Sequence, residues 1–157
     1  MAAIPRNPLT GVPRVAILPA GSIGSGVIFH TGYETLFQWA SGRWRAVDGG
    51  RGLYPFADDV GALDAVVLVD GELVLLDASV HERATGVVQA TGAEGALVCW
   101  LGEVDGFEGL VPNAPLFGSD SPGALVADPD QDWNLLRIGT PASATRLIVS
   151  VEMPVLA

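Results

Sequence analysis

Glycine and proline recur along the whole of this chain, and their spacing constrains its fold more than any other feature. The two longest stretches free of both run from Glu72 to Thr85 and from Ala142 to Met153, fourteen and twelve residues. Proline lacks an amide proton and clashes with the preceding helical turn, and glycine costs about 1 kcal/mol in a helix interior. Several three-turn helices therefore have almost nowhere to lie, whereas short strands joined by turns fit easily. The chain has 157 residues, 49% of them hydrophobic, enough for one domain with a real core. The expectation is an all-β protein.

Residues 1–14 contain three prolines and read as an extended arm, followed by a first strand over 15–18. Gly21-Ser-Ile-Gly-Ser-Gly26 reads as a link that closes an N-terminal segment, residues 1–26, suited to docking on another surface. It has no lysine to reach phosphates and no acidic ribose partner, so it is not a nucleotide loop. Residues 27–52 form a hairpin segment. Within it Leu36–Trp39 and Arg43–Val47 flank the polar turn Ala40-Ser41-Gly42, and alternation puts Trp44 and Ala46 on one face. Asp48–Gly52 acts as a second link before the main body, residues 53–157.

That body contains two degenerate copies of one pattern. Ala65–Asp77 lines up with Ala114–Asp128, each a strand, a glycine-containing turn and a second strand ending in Asp. Thr85–Val88 has a counterpart in Arg137–Thr140, and Ala96–Trp100 one in Arg146–Val151, at offsets of 49 to 53. Two four-strand units predict about eight short strands, closed as a small antiparallel barrel or packed as a sandwich. The strands over 65–69 and 73–76 are apolar on both faces. One face is expected to meet the core and the other a neighbouring subunit.

Every basic residue is arginine, and the formal net charge is -10, which argues against a nucleic-acid module. Residues 1–51 carry five Arg against Glu34 and Asp48, whereas residues 52–157 carry three Arg against sixteen acids. A basic first third and an acidic body could meet one another between subunits. Cys99 is the only cysteine, which excludes an intrachain disulfide, and its apolar run Ala96–Trp100 marks it as a core residue. No signal segment opens the sequence and no run approaches 18 apolar residues, so synthesis in the cytoplasm without membrane insertion is expected.

Chemistry-bearing patterns are sparse. His30 and His81 lack a Gly-x-Ser-x-Gly elbow and the close spacing of a zinc pair. Asp128, Asp130 and Asp132 alternate as cation ligands can, but Trp133 and Gly139 stand where a helix-loop-helix calcium loop needs Gly and Glu. They read as a solvated acidic turn, as do Asp58, Asp59 and Asp64. No enzyme activity, metal or cofactor is expected. The alternative class is carbohydrate binding, in which Trp39, Trp44, Tyr54, Trp100 and Trp133 would offer rings to sugar faces. In a small β domain, tryptophans such as Trp39, Trp44 and Trp133 more often fill the core or a subunit seam.

Three stretches carry a resemblance: Val104–Phe117 with Gly109-Leu110-Val111-Pro112-Asn113 at its centre, Ser121-Pro122-Gly123-Ala124-Leu125-Val126, and Ile138–Val149 with Ala144-Thr145-Arg146-Leu147-Ile148-Val149. Together they resemble the C-terminal β-domains of phage tail-fibre and head-fibre proteins, in which a Gly-Leu-x-Pro-Gly strand leads to a Pro-Gly hairpin and a final Ala-Thr-x-Leu-Leu-Val strand. Glu34–Gly50 looks like the aromatic hairpin that often precedes them. The Pro115-Leu116-Phe117 and hairpin portion is also similar to small capsid-cement proteins. Asn113 replaces the usual glycine, and Gln131–Asn134 replaces the usual Thr-rich or Gly-rich loop. The resemblance implies a structural virion component, a spike, fibre or decoration protein. It would act as a homotrimer that docks to other capsid or tail proteins, with host surface glycan as a further partner and no active site.

Overall fold

A computed structural model describes residues 12–24 and 26–151. Among them there is no helix, and fourteen strands form three sheets. The first sheet contains β1 (Arg14–Val15), β2 (Val27–His30), β3 (Thr35–Ala40) and β4 (Arg43–Ala46), in that spatial order. β1 runs parallel to β2, and the other pairs are antiparallel. Most of the N-terminal arm, residues 1–11, lies outside the described residues.

The second sheet contains β5 (Arg51–Tyr54), β6 (Ala65–Val69), β7 (Glu72–Leu75), β8 (Gly86–Gly92) and β9 (Gly95–Cys99), in the order β5-β9-β8-β6-β7. The third contains β10 (Leu101–Asp105), β11 (Leu116–Gly118), β12 (Leu125–Val126), β13 (Arg137–Pro141) and β14 (Arg146–Ser150), in the order β10-β14-β13-β11-β12. Taken in chain order, the two sheets have the same topology: the first strand lies beside the fifth, the fifth beside the fourth, the fourth beside the second, and the second beside the third. The segments matched in the sequence fall on equivalent strands, 65–77 on β6 and β7 against 114–128 on β11 and β12. Each sheet has five strands rather than four, because β5 and β10 add one apiece.

None of the sheets closes into a barrel. The expectation of about eight strands in the main body is corrected to ten, β5 to β14, and the link assigned to Asp48–Gly52 is already strand from Arg51 onward. Turn chemistry sets the registers. Ser41-Gly42 joins β3 to β4 with φ of 53° and 78°, and Asp70-Gly71 joins β6 to β7 with φ of 51° and 81°. Both are two-residue connections with two left-handed residues, whose twist matches that of the flanking strands. Asn113, standing where the resembling motif has glycine, adopts φ 65°, a region that asparagine tolerates better than most residues.

The second and third sheets pack face to face. Ala65, Val67, Leu76, Val87 and Cys99 of one meet Val104, Leu116, Ile138, Leu147 and Val149 of the other. Burying each large side chain of this layer stabilises the fold by roughly 1.5–3 kcal/mol. The opposite face of the second sheet is also buried, with Val66, Leu68, Leu73, Val88 and Val98 covered by Tyr54, Phe56, Ala57 and Val60 of the same chain. This corrects the expectation that a neighbouring subunit covers the outer face of β6. The 55–63 segment folds back instead, held by Ala57 N–H donating to Leu73 O at 2.9 Å and Leu73 N–H donating to Pro55 O at 2.8 Å. The first sheet packs Ile28, Tyr33, Phe37 and Trp44 against Leu97, Leu53 and Ala90 at one end of the second.

Candidate functional site

The strand β4 reads Arg43-Trp44-Arg45-Ala46, and its alternation sends Trp44 inward and both arginines outward. Trp44 pairs in register with Trp39, their rings edge to face at 5.4 Å and 74°, and its Nε1 donates to Pro19 O at 2.9 Å. Arg43 and Arg45 are exposed, and their side chains make no hydrogen bond or ion pair among the described residues.

Beside β4 runs β5, the end strand of its sheet. A Cβ at Gly52 would lie 2.7 Å from the Tyr54 ring and 3.1 Å from the Trp100 ring, so the two rings close over a backbone that only glycine permits. Pairing between β5 and β9 brings Trp100 to this point, and its amide donates to Gly50 O at 2.9 Å. A cavity of about 380 Å³ opens here, lined by Arg43, Trp44, Arg45, Arg51, Tyr54 and Trp100 together with Ala46, Leu53 and glycines. It is lined by three cations and no carboxylate, in a chain with eighteen acids and eight arginines. Arg51 is committed to the fold, donating from Nε to Gln89 Oε1 at 2.7 Å and also bonding the Asp48 carboxylate and the Glu103 carbonyl.

The aromatic residues singled out in the sequence therefore divide. Trp39 and Trp44 meet, Trp44 shares a cavity with Tyr54 and Trp100, and Trp133 lies apart on the loop between β12 and β13. There its amide donates to Asp130 O at 3.1 Å. The three arginines were not singled out as a group. Their signal was the alternation of Arg43 and Arg45 around Trp44, but Trp100 joins them only through strand register.

Asp128, Asp130 and Asp132 are exposed on the same loop, where Asp130 Oδ1 accepts the Asp132 amide at 2.8 Å. Among the described residues no group of three or more His, Cys, Asp or Glu side chains is placed to hold a metal ion. His30 is buried, its Nδ1 accepting the amides of Gly32 and Tyr33 at 3.1 and 3.2 Å and its Nε2 facing Glu94. His81 Nδ1 accepts the Asp77 amide at 3.0 Å. Cys99 is fully buried, and burial pushes its thiol pKa up, which disfavours the reactive thiolate. Desolvation likewise raises Tyr33, whose hydroxyl donates to Gly95 O at 2.8 Å.

A second cavity of about 520 Å³ lies between the 107–114 loop and β12, lined by Leu63, Phe107, Leu110, Val111, Leu116 and Leu125 among others. Its one carboxylate, Asp64, accepts the Gly61 amide at 2.8 Å. Neither cavity combines a nucleophile with a base. The arginine and aromatic cavity is the one whose chemistry suits a polar ligand: flat rings for an apolar face, guanidinium groups for an anion. No helix among the described residues is long and apolar enough to cross a membrane. No protein-family model, curated protein or solved structure matches the chain.

Proposed function

We propose that the chain is a structural component of a tailed phage or phage-like particle, a spike, fibre or decoration protein that works by self-association and docking and has no catalytic role. The observation that carries this reading is the outer face of the third sheet. On it Leu101 and Ile148 are 60% and 44% exposed, and the β10–β14 register sets them diagonally adjacent. Arg146 stands on the same face, its Nε 2.7 Å from Asp105 Oδ1 and its Nη1 3.6 Å from Glu103 Oε2. On this face Glu103 stands opposite Ile148, so exposed apolar side chains and both signs of charge are interleaved, a mixture that a second copy can match under rotation, which suits a symmetric oligomer.

The trimer, the particle location and the partners in capsid or tail rest on the resemblance of residues 104–149 to phage fibre domains. The shared topology of the two five-stranded sheets supports a duplicated unit, packed as a sandwich. The N-terminal arm supplies the docking segment in this reading. Non-catalytic status is supported by the engagement of both histidines with backbone amides and by the burial of the one thiol.

The test is the double variant Leu101→Gln, Ile148→Gln. These exposed positions tolerate polar side chains without loss of the core, so circular dichroism should be unchanged while size-exclusion elution shifts to a smaller species. An unchanged elution volume assigns self-association to another surface and removes the observation on which the proposal stands.

A further inference from the structure

We propose that the cavity between β4 and β5 binds an anionic sugar unit, a pyranose bearing a carboxylate, of an acidic polysaccharide. Its chemistry is separate from self-association, and it does not depend on the particle assignment.

Three features of the cavity converge. Tyr54 and Trp100 close over Gly52, giving a platform on which the apolar face of a sugar ring can stack. Arg43 and Arg45 stand two residues apart on an end strand, their side chains exposed and without partners among the described residues, so their guanidinium donors are available to a planar carboxylate. Arg51, held by Gln89 through Nε and ion-paired with Asp48, fixes the floor of the cavity and leaves Arg43 and Arg45 as the groups that meet an anion. The volume of about 380 Å³ falls within the range of small-ligand clefts and fits one or two sugar rings.

Charge selects the occupant. The chain carries -10 overall, and an acidic polymer would be repelled from most of its surface. A lining with no acid and with two arginines, Arg43 and Arg45, whose charge no carboxylate among the described residues pairs, marks a place where a single anionic group is admitted. An extended nucleic acid needs a long basic track to neutralise successive phosphates, and the acidic residues elsewhere oppose it.

The experiment uses the full chain and isothermal titration with three probes: hexameric oligogalacturonate, neutral maltohexaose, and a single-stranded oligonucleotide of matched charge. The expected result is binding of oligogalacturonate at least tenfold tighter than of either other probe, weakening with added salt. The variant Arg43→Gln, Arg45→Gln replaces exposed side chains, keeps its circular-dichroism spectrum, and loses about tenfold or more in affinity for oligogalacturonate. Equal binding of maltohexaose, tighter binding of the oligonucleotide, absence of oligogalacturonate binding, or full affinity in the double variant each overturns the proposal.

Discussion

His30 Nε2 lies 2.8 Å from Glu94 Oε1, across 64 residues of sequence, and this contact ties the first sheet to the β8–β9 turn. Because Nδ1 of His30 already accepts two backbone amides, the ring proton sits on Nε2 and is donated to the carboxylate. The other carboxylate oxygen of Glu94 accepts the Leu18 amide at 2.9 Å. One side chain on a two-residue turn therefore holds both β2 and the segment that follows β1.

Glu94→Ala removes both acceptors and leaves a largely buried imidazole N–H unpaired. The expected loss is about 2–3 kcal/mol in chemical denaturation, from hydrogen bonds to a charged group. Amide exchange in β1 and β2 should accelerate while that in the third sheet stays slow. A loss under about 0.5 kcal/mol, typical of an uninvolved surface position, would contradict the assignment.

Close approach between strands predicts a matched pair of sensitive glycines. A Cβ at Gly86 would lie 2.1 Å from Cys99 O, and one at Gly139 would lie 2.2 Å from Ile148 O. Both glycines stand on the central strand of a five-stranded sheet, β8 in one and β13 in the other, against a backbone carbonyl that a rotamer change cannot move. Gly86→Ala and Gly139→Ala should each cost about 3 kcal/mol, the upper end of overpacking effects. Thermal unfolding of the two variants checks this, and a neutral effect at either site would mean that its strands are spaced differently.

The Asp77 carboxyl is held below its usual 3.8 by the hydroxyl and then the amide of Ser79, with Ser79 Oγ 2.5 Å and Ser79 N 2.9 Å from Asp77 Oδ1. A carboxyl whose pKa is lower when folded adds stability above the unfolded value, and that stability is lost as pH falls through the folded one. Ser79→Ala should therefore raise the Asp77 pKa and flatten the stability profile on the acid side below about pH 4. A carbon-detected titration of Asp77 reads the shift directly, and an unchanged midpoint would show that the hydroxyl contributes nothing.

The class of the fold was legible because breakers act locally: glycine and proline leave no room for helices wherever tertiary contacts later fall. The Ser41-Gly42 and Asp70-Gly71 hairpins were legible for the same reason, since a two-residue turn with left-handed residues fixes its own register. β5 and β10 were not read as strands. β5 begins inside a glycine-rich link, and in β10 only Val104 of the outward- and inward-facing residues is buried, so no apolar alternation announces it.

The double-sided burial of β6 was visible as an apolar run, but not what covers it. Phe56 and Val60 are isolated apolar residues among Pro55, Asp58 and Asp59, and nothing local says that they fold over Leu68 and Val88. The cavity was half visible. Trp44 and its flanking arginines are adjacent in sequence, whereas Trp100 reaches them only because β5 pairs with β9 at Arg51↔Cys99.

Sedimentation equilibrium of the intact chain tests the central claim, that this protein acts by assembling with copies of itself. The account predicts a species of about three times the 16.2 kDa chain mass at micromolar concentration. A single species at 16.2 kDa across the concentration range would contradict it.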